Sequence, residues 1–417
     1  MIGIGGIGMS ALAQYLMDHG VTVTGSDREP SPVTELLEKK GIRVSLAQSP
    51  QNVPDDADLV IYSEAVWADN PERMRAKELG IEERSYFEAL GYVSEEKRTV
   101  AVAGTHGKTT TTSMLARILR DAGASPTAIV GSLVRDFGSN YLRGDSEWLV
   151  VEACEYRRDF LTLSPHVLVI TNIELDHTDY YRDLADVQSA FRALMEKVPS
   201  AGTIITDTTS ITIAPLLEGL NARVIDYTKE AGYPTRFPGE FNRMNARAAS
   251  AAARAVMPEL PEDTLRDALA AYEGTWRRFE YRGKTKRGAD VYDDYAHHPT
   301  AVAKTLIELR KKTNGKIFVA FHPHLFSRTR DLLPGFTTAF QGADRVIIAP
   351  IYAAREPDDG TISNRILADR IRETGVNASS GTFEEIRQIF ETEPGPGDIV
   401  MTMGAGDIYK VADALVA

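Results

Sequence analysis

Residues 104–110 combine small residues, a lysine and hydroxyl groups between a predicted apolar strand at 99–103 and a predicted helix. Backbone N–H groups in such a turn converge on an anion at the positive end of the helix. Lys108 can then reach the terminal phosphates of a nucleotide, and the Thr109 hydroxyl can ligate Mg²⁺. The loop is atypical, because Val102 stands where the usual phosphate-loop pattern has its first glycine. We predict an ATP site, the alternative being a glycine turn that caps a helix beside a surface lysine.

Two further strand ends carry groups that can bind a metal ion. Glu152 ends the apolar run 148–151, and an acid at the carboxyl end of a buried strand beside a phosphate loop is well placed for Mg²⁺. His177 comes soon after the apolar run 167–170, so it can bind a metal or orient a phosphate. Both residues have a structural alternative, since Glu152 can cap the next helix and His177 can be an ordinary hydrogen-bonding histidine.

A second glycine-rich turn lies at residues 3–8, where the sequence Gly-x-Gly-Gly-x-Gly precedes a predicted helix. Asp27 follows nearly twenty residues later, as in a Rossmann-type pyrophosphate site. By itself the pattern suits an NAD-dependent dehydrogenase and a protein with a UDP-linked ligand equally well. A tight turn with a purely structural role is the third alternative.

Two segments in the last third of the chain place charged and aromatic groups directly after strands. Residues 293–299 hold two acids, a tyrosine and two histidines between a predicted strand and a predicted helix. Residues 322–330 follow another strand, and Arg328 among them is suited to bind a carboxylate or a phosphate. We treat both as candidate substrate sites, the alternative being a solvated helix start with scattered charges.

Three stretches of alternating β-rich and helical segments must position these groups. We predict an α/β fold of three domains: a Rossmann-like N-terminal domain at 1–95, a central P-loop ATPase-type domain with a mainly parallel sheet at 96–274, and a Rossmann-like C-terminal domain at 275–417. Early strands are predicted at 21–25 and 59–63, and the charged segment 94–98 is predicted to be a linker.

Composition limits the classes of function and the compartment. The chain has 417 residues, 43% hydrophobic and 25% charged, which is typical of a globular protein in water, and no apolar run approaches the roughly 18 residues needed to span a bilayer. A formal charge of −12 argues against general affinity for nucleic acid or anionic lipid. The single cysteine, Cys154, and the absence of a basic signal-type N-terminus favour the cytoplasm. The oligomeric state stays open.

Taken together, these segments resemble the Mur ligase family in the same order along essentially the whole chain. The segments that carry the resemblance are residues 3–13, 103–112, 171–177, 238–246, 277–279, 293–299, 322–330 and 402–408. The resemblance implies ATP- and Mg²⁺-dependent joining of L-alanine to UDP-N-acetylmuramate through an acyl phosphate, in peptidoglycan precursor synthesis. His106 and residues 3–13 are similar to the alanine-adding branch. Attachment of a recycled murein tripeptide is the closest alternative, and a nucleotide-dependent switch is a non-enzyme alternative.

The resemblance also implies roles for individual residues. The implied nucleotide-binding residues are Gly104, Thr105, His106, Gly107, Lys108, Thr109, Thr110, Asn242, Asn245, Arg278 and Asp294. The implied metal ligands are Thr109, Glu152 and His177. The implied substrate contacts are Gly5, Gly6, Gly8, Ser26, Asp27, Ser63, Tyr295, His297, His324 and Arg328. The implied catalytic residues are Lys108, Arg278 and His297, the last to position or deprotonate the amine.

The sequence departs from the family pattern at several positions. Phe241 replaces a frequent histidine, and Leu325 stands where an arginine is common, so neither is given a charged role. Residues 155–159 replace an acidic, serine-containing run, which leaves the contacts of that loop open. The chain also begins inside its first predicted strand, so the true start is expected either there or further upstream.

Overall fold

The computed structural model describes residues 1–354, 356–358 and 360–416. The chain folds into two compact units, the first comprising Met1–Glu174, Ala185–Arg236 and Arg243–Thr275, and the second Leu175–Leu184, Phe237–Asn242 and Trp276–Ala417. Among the described residues, every helix is too short or too polar to cross a membrane.

The N-terminal part of the first unit is a small parallel α/β layer. Its strands are β1 (Thr24–Ser26), β2 (Arg43–Ser45), β3 (Leu59–Tyr62) and β4 (Glu82–Ser85). Its helices are α1 (Ile7–Asp18), α2 (Pro32–Lys39), α3 (Pro71–Leu79) and α4 (Tyr86–Glu96). The pairs β1–β2 and β3–β4 are parallel, and Ile2 bridges both pairs through Ser26 and Tyr62. The first strand predicted from the sequence is therefore represented by one bridging residue, Ile2, which lies between the two strand pairs as the central strand of a Rossmann-like sheet would.

Two local predictions in this part are wrong. The strand predicted at 21–25 starts only at Thr24, because the backbone N–H of Val21 donates back to the Leu16 carbonyl at the end of α1 and is not available to a sheet. The linker predicted at 94–98 is ordered structure, since Ser94 lies in the last turn of α4 and Arg98 begins the next strand. Buried Ser94 also donates a hydrogen bond to Thr99, which joins the helix to that strand.

The rest of the first unit is built on a seven-stranded sheet. In chain order its strands are β5 (Arg98–Ala103), β6 (Thr127–Val134), β7 (Ser139–Leu142), β8 (Trp148–Glu152), β9 (Pro165–Ile170), β10 (Thr203–Thr206) and β11 (Arg223–Asp226). The spatial order is β11-β10-β9-β5-β8-β6-β7, parallel except for β7. Helices along this stretch are α5 (Lys108–Asp121), α6 (Leu184–Glu196), α7 (Glu240–Val256) and α8 (Glu262–Ala271). Strands β5, β8 and β9 are continuous apolar runs, as expected when both faces of a parallel sheet are covered.

The second unit carries a six-stranded sheet. Its strands are β12 (Glu280–Lys284), β13 (Asp290–Asp294), β14 (Ile317–Phe321), β15 (Arg345–Ile348), β16 (Ala378–Ser380) and β17 (Ile399–Met403), in the spatial order β12-β13-β17-β14-β15-β16. Only β12 runs antiparallel to its neighbour. The helices are α9 (Pro299–Arg310), α10 (Phe326–Asp331), α11 (Leu333–Ala339), α12 (Asn364–Arg372), α13 (Phe383–Thr392) and α14 (Tyr409–Val416).

Alternation along the strands of this sheet divides its core into two layers. In β14, Val319 packs with residues of α9, α11 and α12, whereas the adjacent Phe318 and Ala320 pack with α13 and α14. This is the period of two that places successive side chains on opposite faces. Short 3₁₀ turns complete the structure at Pro50–Asn52, Arg135–Phe137, Tyr156–Thr162, Ala214–Leu216 and Tyr227–Lys229.

Candidate active site

The phosphate loop of the first unit joins β5 to α5, at the carboxyl end of the central strand. Gly107 is the N-cap of α5 with φ +84°, and no side chain caps the helix. The N–H groups of the first helical turn have no acceptor within a helix, so an uncapped N-terminus is suited to bind an anion. Asn245 lies against the loop, because a Cβ on Gly107 would come within 2.3 Å of its Oδ1. Both the conformation and the contact therefore require glycine at position 107.

Polar residues after β9 hold the other side of this loop. The side chain of Asn172 accepts a hydrogen bond from the His106 N–H at 2.9 Å and donates one to the His106 carbonyl at 2.9 Å. The Thr171 hydroxyl also donates to that carbonyl, at 2.6 Å. The His106 ring lies beside an acid, with Nε2 3.4 Å from Glu174 Oε2. The segment after β9 was expected at this edge of the sheet, and its role in fixing the loop backbone is a further finding.

Thr109 and Glu152, both proposed as metal ligands, lie together in the first unit. The Thr109 hydroxyl donates to Glu152 Oε1 at 3.0 Å, and the Gly131 N–H donates to Glu152 Oε2 at 2.9 Å. Hydroxyl and carboxylate oxygens are ligands that Mg²⁺ prefers. The uncapped helix, Lys108 and this oxygen pair have the donor chemistry that a Mg²⁺–triphosphate needs, so these residues fit ATP and its metal.

Lys108 is paired with an acid that the sequence left without a role. Its ammonium lies 2.8 Å from Glu155 Oε2 and also donates to the Gly104 carbonyl at 2.5 Å. Burial acts to lower the pKa of Lys108, but the charges of Glu155 and Glu152 outweigh it and the net pKa is raised. The lysine is therefore cationic at neutral pH. Burial raises the pKa of the neighbouring Cys154 thiol to about 12, so this thiol is not a nucleophile at neutral pH.

The N-terminal glycine turn in the same unit is closely enclosed. The Gly5 N–H donates to Asp27 Oδ2 at 2.8 Å, so the acid expected to contact a ligand lies directly on the turn. A Cβ on Gly8 would fall 2.4 Å from the Tyr86 ring, which explains why glycine stands there and brings Tyr86, absent from the predicted set, to this turn.

Two predicted substrate residues of this part lie at strand ends beside the turn. Ser26 is fully buried and its hydroxyl donates to Glu72 at 2.6 Å, so a ligand contact would require that bond to break. Ser63 lies against Gly3, with its Cβ 3.0 Å from the position of an added Cβ there.

The second unit gathers predicted substrate residues around a buried acid, Asp176. Arg328 Nε donates to Asp176 Oδ1 at 2.7 Å, and both side chains are almost completely buried. Burial acts to raise the pKa of Asp176, but Arg328 and the surrounding histidines hold it well below its usual range. His324 Nδ1 lies 3.0 Å from Arg328 Nη1, and His177 Nδ1 lies 3.5 Å from Nη2. Asp176 lies in one of the segments that resemble the family, but no role was predicted for it.

His297 has the geometry of a neutral base in this cluster. Its Nδ1 lies 3.0 Å from the Tyr295 carbonyl, a contact that requires Nδ1–H and leaves Nε2 with its lone pair. Burial and the charge of Arg328 lower its pKa well below 6.5, so the ring is neutral at pH 7. Nε2 lies 4.0 Å from Asp176 Oδ2.

The two arginines that precede β12 differ in their contacts. Arg277 is buried, and its guanidinium donates to Asp293 and to the carbonyls of Gly404 and Gly406. Arg278, the predicted catalytic residue, has its guanidinium carbon 4.9 Å from the centre of the Tyr295 ring. The neighbouring arginine therefore has a structural role, and Arg278 stays the candidate for phosphate.

Asp294 and Asn242, both predicted nucleotide contacts, make internal hydrogen bonds in the second unit. Asp294 accepts from the N–H groups of Phe279 and Ala296, at 3.0 and 2.8 Å. Burial raises its pKa to about 6. The Asn242 amide donates to the Pro238 carbonyl at 2.8 Å. These bonds fix the turns that carry the two residues.

Comparison with known proteins identifies the family to which this arrangement belongs. Residues 1–98 match the model of the Mur ligase family catalytic domain, 102–233 the Mur ligase middle domain, and 277–406 the Mur ligase glutamate ligase domain. The chain belongs to the Mur ligase family. The three matches in this order establish the three-domain α/β architecture, while the predicted boundaries at 95/96 and 274/275 stay predictions.

Individual members of the Mur ligase family are similar over the full length. The chain is 36% identical over 445 aligned positions to the UDP-N-acetylmuramate–L-alanine ligase of Clostridium botulinum (strain Loch Maree / Type A3), covering 100% of this chain and 96% of the relative. It is 38% identical to the ligase of the same name from Acetivibrio thermocellus, covering 99% and 94%. The crystal structure of UDP-N-acetylmuramate–alanine ligase from Thermotoga maritima superposes with a TM-score of 0.83 at 28% identity, covering 100% and 97%. A murein peptide ligase from Psychrobacter arcticus, at 23% identity and TM-score 0.77, covering 99% and 97%, shares the fold.

Proposed function

We propose that this chain joins L-alanine to UDP-N-acetylmuramate with hydrolysis of ATP to ADP and phosphate, in peptidoglycan precursor synthesis. The observation that carries the proposal is the uncapped helix with Lys108 and the Thr109–Glu152 pair, in a chain similar throughout to L-alanine ligases. The reaction uses ATP and Mg²⁺, as in the family. The tripeptide alternative is not favoured, because the full-length relatives at 36% and 38% identity are alanine ligases. A dehydrogenase would leave the phosphate loop without a role.

The chemistry follows from the reactivity of a carboxylate. Amide formation from a free carboxylate in water is uphill, so the muramoyl carboxylate first attacks the γ-phosphate, giving an acyl phosphate and ADP. The amine of L-alanine then attacks the acyl carbon, and phosphate leaves with the bonding electrons of the acyl C–O bond. Phosphoryl transfer of this kind depends on positioning and charge neutralisation rather than on a protein nucleophile. The neutral thiol of Cys154 is consistent with that requirement.

The residues of the first unit suit the nucleotide and the UDP group. Lys108 would neutralise phosphate charge, the N–H groups of residues 104–110 would cradle the phosphates, and Thr109 and Glu152 would hold Mg²⁺. Bound Mg²⁺ supplies charge neutralisation at the phosphates. Asn245 lies against the loop at Gly107 and is a suitable further nucleotide contact. The turn at Gly5, Gly6 and Gly8, with Asp27 and Ser63, is proposed for the UDP group.

The residues of the second unit suit the reacting amine and its carboxylate. Arg328, fixed by Asp176, would pair with an anionic group, and His324 and Tyr295 would contact the substrates. His297, neutral with Nε2 available, would accept the proton of the attacking amine. The assignments of His177 to metal, of Arg278 to phosphate, and of Asn242 and Asp294 to the nucleotide are proposals that rest on the family pattern. We place the reaction in the cytoplasm, where ATP is available.

The proposal is tested by phosphate release with UDP-N-acetylmuramate and ATP, across a panel of amino acids and the murein tripeptide. We expect release that depends on L-alanine, with formation of the corresponding amide confirmed by mass spectrometry. Equal release without an amino acid would indicate a nucleotide-dependent switch, and faster release with the tripeptide would indicate the recycling reaction. Either result would refute the proposed function.

A further inference from the structure

Glu155 forms a buried ion pair with the phosphate-loop lysine. Its two carboxylate oxygens lie 3.0 and 2.8 Å from Lys108 Nζ. The Glu155 side chain keeps only 3% of its accessible surface, against 14% for Lys108. A carboxylate with so little access to water cannot turn to the solvent for its partners. The pair is therefore a fixed feature of the loop rather than a surface contact.

The backbone that follows Glu155 is held in an uncommon conformation. Arg157 and Arg158 have φ values of +53° and +62°, in the left-handed region that residues other than glycine seldom adopt. The guanidinium of Arg158 donates to Asp186 Oδ1 at 2.7 Å and to Ser189 Oγ at 2.8 Å, which ties down the far side of the turn. Strained backbone persists only where its surroundings fix it, and it is concentrated at functional sites. The turn thus holds the Glu155 carboxylate in position opposite Lys108.

The end of β8 and the segment after it supply one carboxylate to each of two adjacent phosphate-loop side chains. Glu152 accepts from the Thr109 hydroxyl, and Glu155 accepts from the Lys108 ammonium. An ammonium has three N–H donors, and here they are directed to Glu155 and to the carbonyls of Gly104 and Thr105. A triphosphate must therefore compete for a donor that is already in use.

We propose that Glu155 is a positioning residue for Lys108: its carboxylate fixes the ammonium over the phosphate loop for phosphoryl transfer and competes with ATP for it. The inference rests on the proposed function and extends it. Removing the negative charge of Glu155 makes the loop more attractive to ATP, because a competing anion is lost. The same change leaves the ammonium free to move, so fewer bound complexes have it in the position that transfer requires.

Glu155→Gln tests the proposal, since glutamine keeps the size of the side chain and removes its charge. We expect kcat for L-alanine-dependent phosphate release to fall by about tenfold or more. We expect the dissociation constant of ATP, measured by calorimetry without the other substrates, to stay equal or decrease. Glu155→Asp keeps the charge but is one methylene shorter, and it should recover part of the lost kcat. Glu147→Gln is the matched control, because Glu147 is an exposed acid just before the start of β8. Its kcat and ATP affinity should equal those of the wild type.

Weaker ATP binding in Glu155→Gln would overturn the proposal, because it would show that the carboxylate only maintains the shape of the loop. An unchanged kcat would overturn it as well. Failure of the proposed function has a different signature, namely wild-type protein that binds ATP but releases no phosphate with L-alanine and UDP-N-acetylmuramate. The effect of Glu155→Gln on ATP binding can be measured in either case.

Discussion

Replacing Lys108 with methionine should separate the contribution of the Lys108–Glu155 pair to stability from its contribution to catalysis. Methionine keeps most of the length of the lysine stem and removes the ammonium. The structure predicts an asymmetry between the two partners. Without Lys108, the 3%-exposed carboxylate of Glu155 is left buried without its cation, whereas without the charge of Glu155 the flexible lysine can turn to solvent. Lys108→Met should therefore destabilise the protein more than Glu155→Gln does.

The magnitude follows from the burial of the pair. Removing one partner of a buried ion pair costs about 3–5 kcal/mol, and we take the lower end, about 3 kcal/mol, because Lys108 retains 14% exposure. In a unit of this size that corresponds to a decrease in Tm of about 6 °C. Replacing both partners also removes the buried negative charge, so Lys108→Met/Glu155→Gln should recover about 2 kcal/mol of the loss. Because the pKa of Lys108 is raised, the pair's contribution is present at neutral pH and is lost only as the pH rises through that raised value.

The assay combines urea unfolding with phosphate release for the two single variants, the double variant and the control Lys77→Met, whose exposed side chain lies on α3. We expect the double variant to regain stability and to stay inactive, because the ammonium needed for the phosphates is still missing. A double variant no more stable than Lys108→Met would refute the buried ion pair. Turnover like that of the wild type in Lys108→Met would refute the assignment of the phosphate loop.

Three further predictions concern single positions. Gly131→Ala would place a methyl group 2.3 Å from Glu152 Oε2 and so disturb this proposed metal ligand. The Mg²⁺ concentration for half-maximal phosphate release should therefore rise about tenfold. An unchanged Mg²⁺ titration would contradict the metal assignment. Burial lowers the pKa of His322 to about 4 in the folded protein. Between pH 6.5 and 4 the unfolded chain therefore binds more protons than the folded one, so the free energy of unfolding decreases as the pH falls through that range, by about 3 kcal/mol at most. His322→Asn should flatten this slope in urea unfolding, and an identical slope would contradict it. Asp176→Asn should lower the free energy of unfolding by about 3 kcal/mol, because Arg328 loses its buried carboxylate partner. A loss below about 1 kcal/mol in the same assay would show that the pair contributes little.

Much of the central sheet was predictable because its strands are buried on both faces. Such strands are continuous apolar runs, and β5, β8 and β9 were predicted to within two residues for that reason. The two wrong predictions, the strand at 21–25 and the linker at 94–98, arose where the composition of a short segment misrepresents the structure that it adopts. The β-branched residues before Thr24 favour a strand, but the N–H of Val21 is used by the end of α1, and the charged run after Ser94 lies in a helix and the strand it meets. Local composition does not reveal either arrangement.

The positions of the candidate site residues were easier to predict than their partners. A strand end followed by glycine or an acid marks the edge of the sheet, and Lys108, Glu152 and His177 were chosen as candidates in this way. The pairing of Lys108 with Glu155 depends on β5 lying next to β8, with Val102 opposite Glu152, which the sequence does not specify. The only signal for Glu155 was its place three residues after another strand-end acid. The same limit applied to Asp176, whose partner Arg328 is 152 residues away.

An acidic chain that binds anionic substrates must keep buried cations charged before the substrates arrive. Burying a cation without a partner is costly. Each of the two buried cations described above is paired with a carboxylate: Lys108 with Glu155 in the first unit, and Arg328 with Asp176 in the second. An anionic substrate that takes up such a cation exchanges one ion pair for another, and the exchange contributes less to affinity than a new pair would. Most of the affinity for phosphate should then come from neutral donors, above all the uncapped first turn of α5. Lys108 and Arg328 would chiefly position positive charge where negative charge develops during transfer. Perturbing the carboxylates that hold them should therefore change kcat more than the affinity for ATP.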